Sequence, residues 1–142
     1  GQKGMLQALS SERLRQPPGT RFVYSDIGFI VLGEIVKRVS GKTLDLFAYQ
    51  NFTIALGMNN ARFWGVTDDS QSLLNMLSRS EVAPTEKISN QQSYLGGKFD
   101  GDQITGERIL RGQVHDPTAF RMGGIAGHAG LFASADDLAR YC

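Results

Sequence analysis

The sequence predicts an α+β chain, mostly helical with short strands, and three observations carry that expectation. Apolar residues recur at spacings of three and four from Phe29 through Leu32, Ile35 and Val36 to Val39. A second apolar pattern runs from Thr43 to Leu56 and closes on Gly57. Short runs rich in β-branched and aromatic residues, Thr20–Tyr24 first among them, stand between turn residues.

In chain order, Met5–Arg15 places Met5, Leu6, Leu9 and Leu14 for a short amphipathic helix that must end before the turn Pro17-Pro18-Gly19. The strongest helix follows Tyr24, with Asp26 read as its N-terminal cap and Gly41 as its left-handed C-terminal cap. Asp69–Ser78 is a weaker helical candidate. From Val82 to Thr118 the pattern loosens into loops and one hairpin, with a strand at Val82-Ala83, the turn signals Gly96-Gly97 and Asp100-Gly101, and apolar runs at Ile104 and Ile109-Leu110. Gly123, Gly124, Gly127 and Gly130 make the next segment glycine-rich. Ser134-Ala135-Asp136-Asp137 then gives the Ser-x-x-acid signature of a helix start.

The chain has 142 residues, 41% hydrophobic and 20% charged, values ordinary for a globular domain. No stretch approaches the roughly 18 apolar residues of a membrane span. Fifteen basic against fourteen acidic residues give a net charge of +1 without a run of either sign, which argues against nucleic acid as a partner. The single cysteine, Cys142, excludes an internal disulfide. Gly1-Gln2-Lys3 opens without a leader and Cys142 falls inside a predicted helix, so the expectation is an internal segment of a larger domain, with exposed apolar surface.

The most informative local feature is Tyr24-Ser25-Asp26, between a strand-like run and a helix start. A phenol at a helix N-terminus sits in a positive potential that lowers its pKa and suits it to proton transfer near neutral pH. The competing reading is a half-buried tyrosine beside an aspartate that only caps.

Pro17-Pro18-Gly19-Thr20-Arg21-Phe22-Val23-Tyr24-Ser25-Asp26, with the helix Gly28–Val36 and Ser40-Gly41-Lys42-Thr43, resembles the Pro-Gly-x-x-Phe-x-Tyr-Ser-Asn segment of the serine β-lactamase and penicillin-binding-protein hydrolases, class C-like members included. Leu56–Phe63 is similar to that family's Leu-Gly-Met-x-x-Thr-x-Phe stretch. Ala83–Glu86, Gly112–Pro117 and Gly123–Phe132 resemble a subgroup that includes penicillin-binding protein 4B-like proteins. The resemblance implies a β-lactamase/transpeptidase-like fold, of which residues 1–142 form a partial, mostly helical domain.

It also implies acyl transfer through a serine acyl-enzyme of β-lactamase, D,D-carboxypeptidase or esterase type. The substrate is then a small molecule or peptide: an acyl-D-Ala-D-Ala-like peptide, a β-lactam or an ester. No cofactor or metal is implied, and the location is periplasmic or extracellular. Tyr24 and Asp26 are the implied catalytic residues, with Asp26 orienting a lysine, while His128 and Gly130 of His128-Ala129-Gly130 are implied to bind substrate as a His-x-Gly element. No Ser-x-x-Lys occurs, so the nucleophile is expected outside the segment and the segment alone is expected to be inactive. The rival reading is a non-catalytic module that binds cell-wall peptide or penicillin.

Two departures matter. Asp26 stands where the family more often has asparagine, and a carboxylate there favours the ammonium form of a neighbouring lysine, making it a poorer base. Residues Lys87–Gly106 read as an insertion. Ser40-Gly41-Lys42-Thr43 lacks the leading glycine of a phosphate loop and follows a helix, so it reads as a helix end. His115, Asp116 and His128 lack the spacing of a zinc site and read as a loop held by side-chain hydrogen bonds. Asn51-Phe52-Thr53 matches a glycosylation sequon inside a predicted helix.

Overall fold

The computed structural model describes residues 1–66, 81–87 and 109–142. The Asp69–Ser78 helix, the turn pairs Gly96-Gly97 and Asp100-Gly101, the run at Ile104 and all of the proposed insertion except Lys87 lie outside these residues. Five α-helices, one π-helical turn and four short strands are present among the described residues: α1 (Gln2–Ser10), α2 (Asp26–Ser40), α3 (Leu44–Ala48), the π-turn (Tyr49–Thr53), β1 (Arg62–Phe63), β2 (Pro84–Lys87), β3 (Ile109–Arg111), α4 (Pro117–Arg121), β4 (Leu131–Phe132) and α5 (Ala135–Tyr141). The chain is thus α+β, helical in the main, as its sequence predicts.

Helix α1 ends at Ser10, five residues before the predicted Arg15. The reason is local: the hydroxyls of Ser10 and Ser11 donate to the carbonyls of Gln7 and Ala8, each at 2.7 Å, and compete with continuation of the helix. The Thr20–Tyr24 run stays extended without joining a ladder among the described residues. Strand propensity is mostly cross-strand packing, and Phe22 here is 90% exposed.

Helix α2 begins one residue earlier in its capping than its sequence suggests. Ser25, not Asp26, is the N-cap; its extended backbone lets its hydroxyl accept the Gly28 N–H, leaving Asp26 as the first helical residue. The other end is as predicted, with Gly41 at φ 70° and its N–H bonded to the Lys37 carbonyl. Only Ile30 is buried along α2, while Ile27, Phe29, Val31, Leu32, Ile35 and Val39 are exposed, which is the apolar surface expected above.

The predicted Thr43–Leu56 helix is real but changes pitch. After α3 a π-helical turn covers Tyr49–Thr53, closed by the Ile54 N–H on the Tyr49 carbonyl. The Thr53 hydroxyl donates to that same carbonyl at 2.7 Å and the Asn51 side chain to the Phe47 carbonyl at 2.8 Å, so the sequon residues are spent on the helix itself.

Strands β1 and β4 pair antiparallel, Arg62 opposite Phe132. Strands β2 and β3 pair antiparallel with a bulge between Pro84 and Glu86, which puts β2 just beyond the predicted Val82-Ala83. A small core of Val114, Ala119 and Ala126, flanked by Phe120, Met122 and Ala129, joins α4 to the glycine-rich segment. The capping box predicted for α5 is formed: the Ser134 hydroxyl accepts the Asp137 N–H, and the Asp137 carboxylate accepts the Ser134 N–H. No described helix is long and apolar enough to cross a membrane.

Candidate functional site

Tyr24 projects from the extended segment that leads into α2, 72% exposed, with its ring 6.5 Å from that of Phe29 and tilted by 45°. Ser25 turns the chain into the helix, and its capping role frees the Asp26 carboxylate to act on the phenol. Through a side-chain hydrogen bond and then its negative charge, Asp26 raises the Tyr24 pKa above the ordinary 10.0. This reverses the expected lowering by the helix terminus: a carboxylate two residues away outweighs the partial charge of the helix end. Tyr24 is accordingly a neutral phenol at physiological pH, suited to giving a proton rather than taking one.

A cavity of about 230 Å³ lies along α2 but is not where Tyr24 points. Its walls are Ile30, Gly33, Glu34 and Lys37 of α2, the start of α3, Gln2 and the stretch from Met122 to Gly127, and Tyr24 is not among them. Among the described residues Tyr24 is exposed and lines no part of this cavity. Glu34 is held on one oxygen by Arg38 at 2.7 Å, while its Oε2 is buried without a hydrogen-bond partner.

His128 and Gly130 take other positions. The His128 side chain is 3% exposed, and its Nε2 lies 2.8 Å from Asp116 Oδ1. Because the carboxylate only accepts, Nε2 carries the proton of this bond; Nδ1 is buried without a partner. Asp116 is also the N-cap of α4, accepting the Ala119 N–H at 2.6 Å, with Pro117 at the first helical position. Burial works to raise the Asp116 pKa, but the hydrogen bonds from Ala119, His128 and Thr118 and the charge of His128 outweigh it, and the net shift is downward.

Gly130, at φ 112°, sits so close to Gly124 that a Cβ would overlap its carbonyl oxygen. Both positions shape the path of the glycine-rich segment, with the His128 side chain buried against Asp116. His115, one residue before Asp116, pairs instead with Glu86 of β2. The loop is thus held by side-chain hydrogen bonds, and no group of three His, Cys, Asp or Glu able to hold a metal ion occurs among the described residues.

The structure brings Tyr24 and Asp26 together and keeps His128 with Asp116. An aspartate before a proline is an N-terminal helix signal, one the sequence reading did not use at Asp116; the bond of Asp116 to His128 is of the kind expected of a loop held by side-chain hydrogen bonds.

The profile of the Beta-lactamase family matches residues 2–142, and the chain belongs to that family, with its β-lactamase/transpeptidase-like fold. Among curated relatives it is 34% identical over 135 residues to an N-acetylmuramyl-L-alanine amidase of Bacillus subtilis (strain 168), covering 94% of this chain and 28% of that protein. It is 33% identical to a putative D-alanyl-D-alanine carboxypeptidase of Escherichia coli (strain K12), covering 94% of this chain and 29% of that protein, and 30% identical to one of Salmonella schwarzengrund over the same shares. The chain thus spans under a third of the length of these relatives. No solved structure matches it.

Proposed function

We propose that this chain is the tyrosine-bearing segment of a serine hydrolase that transfers an acyl group to water through a serine acyl-enzyme, of the class C-like, penicillin-binding protein 4B-like subgroup. The observation that carries the reading is the placement of Tyr24, exposed and beside Asp26 at the start of α2. The serine and lysine of the reaction belong to sequence other than these residues, and the segment alone is inactive.

In the first half-reaction the serine oxygen attacks the acyl carbon and the C–N or C–O bond to the leaving group breaks. Tyr24 relays the proton: its phenol hydrogen passes to that leaving group as the proton of the serine hydroxyl passes to the phenol oxygen. In the second half-reaction water attacks the acyl carbon and the acyl–serine C–O bond breaks, the proton of the water passing to the phenol oxygen as that of the phenol passes to the serine. Asp26 orients the lysine. The substrate is an acyl-D-Ala-D-Ala-like peptide, a β-lactam or an ester of similar shape; the names of the relatives favour cell-wall peptide, and the reaction is read as periplasmic or extracellular. His128 and Gly130 support the site from behind without touching substrate.

The test uses the longer natural polypeptide that carries this segment. A fluorescent penicillin labels it at a serine, and Tyr24→Phe lowers turnover of a chromogenic ester or β-lactam about 10²–10⁴-fold, the scale of general acid–base assistance. Unchanged turnover removes Tyr24 from the chemistry, and binding without acylation favours the non-catalytic module.

A further inference from the structure

The glycine-rich segment and the helix that follows Tyr24 are in contact at their backbones. At Gly127 a Cβ would overlap the Phe29 carbonyl oxygen and stand 3.2 Å from the Gly33 nitrogen. Phe29 lies in the first turn of α2, and its ring is the one against Tyr24. The residue after Gly127 is His128, whose buried ring is bonded to Asp116, and Asp116 is fixed in turn by capping α4. A continuous series of contacts therefore runs from the start of α4 through Asp116, His128, Gly127 and Phe29 to Tyr24. The links are a hydrogen bond at Asp116–His128, a close backbone approach at Gly127–Phe29 and a tilted ring pair at Phe29–Tyr24, and His128 has a single hydrogen-bond partner.

We infer that the Asp116–His128 pair is a positioning device for Tyr24: it sets the depth at which Gly127 meets α2 and, through Phe29, the placement of the phenol. The inference rests on the reading of Tyr24 as the proton donor, and it deepens that reading by naming what holds the donor. The ring of His128 suits the task because it is buried, flat and rigid beyond χ2, and because its bond is to a carboxylate that cannot move without uncapping α4. Loss of the bond lets the loop relax and shifts the phenol by a fraction of an ångström, enough to affect proton transfer without abolishing binding.

Two layers of experiment separate this inference from the reading beneath it. The first needs no catalysis. In the 142-residue chain labelled with fluorotyrosine, the Tyr24 fluorine resonance is assigned by its disappearance in Tyr24→Phe. His128→Leu is expected to move it, and His128→Gln, whose amide keeps a donor at the Nε2 position, to return it most of the way. Should His128→Leu fail to fold, Asp116→Asn is read instead. It keeps the α4 cap, since asparagine caps as well as aspartate, but weakens the bond to His128, and it is expected to move the resonance in the same direction by less. A Tyr24 resonance unmoved in a folded variant overturns the inference.

The second layer uses the longer natural polypeptide. His128→Leu is expected to lower kcat roughly 10- to 100-fold with KM changed far less, and His128→Gln to restore most of it. The double variant with Tyr24→Phe is expected to be no slower than Tyr24→Phe alone, because both act on one proton transfer. If Tyr24→Phe is slow while folded His128→Leu is as fast as the parent, the positioning role is refuted and the role of Tyr24 stands. If Tyr24→Phe is itself unimpaired, the underlying reading fails, and with it any part for His128 in the reaction.

Discussion

Asp26 holds the phenol of Tyr24 above its ordinary pKa, by a hydrogen bond and by charge, across a single intervening residue that caps the helix. Because the folded pKa is raised, the protonated phenol is favoured at every pH below 10.0, and the favourable interaction is lost as pH rises through the folded value. Ultraviolet titration of tyrosinate, with Tyr24→Phe subtracted, should therefore find Tyr24 ionising later than a free tyrosine. Asp26→Asn, which removes the charge, should bring it back toward 10.0. An unmoved titration in that variant would show that the carboxylate is not the cause.

The acid end of the stability curve belongs to Asp116. Its net pKa lies below 3.8, so the folded carboxylate contributes stability that is complete above the unfolded value and is lost as pH falls through the folded one. Urea denaturation in a series of buffers from neutral to strongly acidic pH should show the parent weakening through this window. Asp116→Asn, with no charge to titrate, should show a flatter acid limb. An identical slope in the two proteins would count against the assignment.

Asp137 joins distant parts of the chain. Buried to 3% exposure, its carboxylate accepts the Asn60 N–H at 3.0 Å, across 77 positions of sequence, as well as the Ser134 N–H of the capping box. Asp137→Ala strands both donors and weakens the cap, a loss of about 2 kcal/mol at roughly 1 kcal/mol for each buried hydrogen bond. Asp137→Asn retains an acceptor and should lose about half as much. Denaturation midpoints of the three proteins measure this directly, and equal midpoints for the alanine variant and the parent would contradict it.

What the sequence disclosed was what is decided within a few residues. The apolar spacing of α2, the glycine that ends it and the Ser-x-x-Asp start of α5 are local codes, and each is found where the letters put it. Where two local codes compete, the reading slipped. Ser25 and Asp26 are both good caps, and the serine won because its hydroxyl reaches the Gly28 N–H. The serines that stop α1 at Ser10 and the threonine inside the π-turn act through side-chain bonds to carbonyls that no hydrophobic period reveals. Of the site, the Tyr24-Ser25-Asp26 constellation was visible as a motif, but the sign of the Tyr24 shift was not, because it depends on which way one carboxylate faces. His128 read as a substrate ligand by the letters His-x-Gly; its burial against Asp116 is a tertiary fact that spacing cannot encode.

The glycine at position 127 tests the packing that ties loop to helix. A methyl group there meets the Phe29 carbonyl oxygen, a backbone atom that cannot turn aside, so Gly127→Ala must push the loop and α2 apart. The cost is that of overpacking, about 1–3 kcal/mol. Gly4, within α1, provides the control: a Cβ there has no neighbour within 4 Å, so Gly4→Ala only removes backbone freedom from the unfolded chain and should stabilise by about 0.5–1 kcal/mol. Thermal melts of the two alanine variants should therefore shift in opposite directions from the parent. If Gly127→Ala melts at or above the parent temperature, the glycine-rich segment and α2 do not meet at their backbones, and the route from His128 to Tyr24 loses its central link.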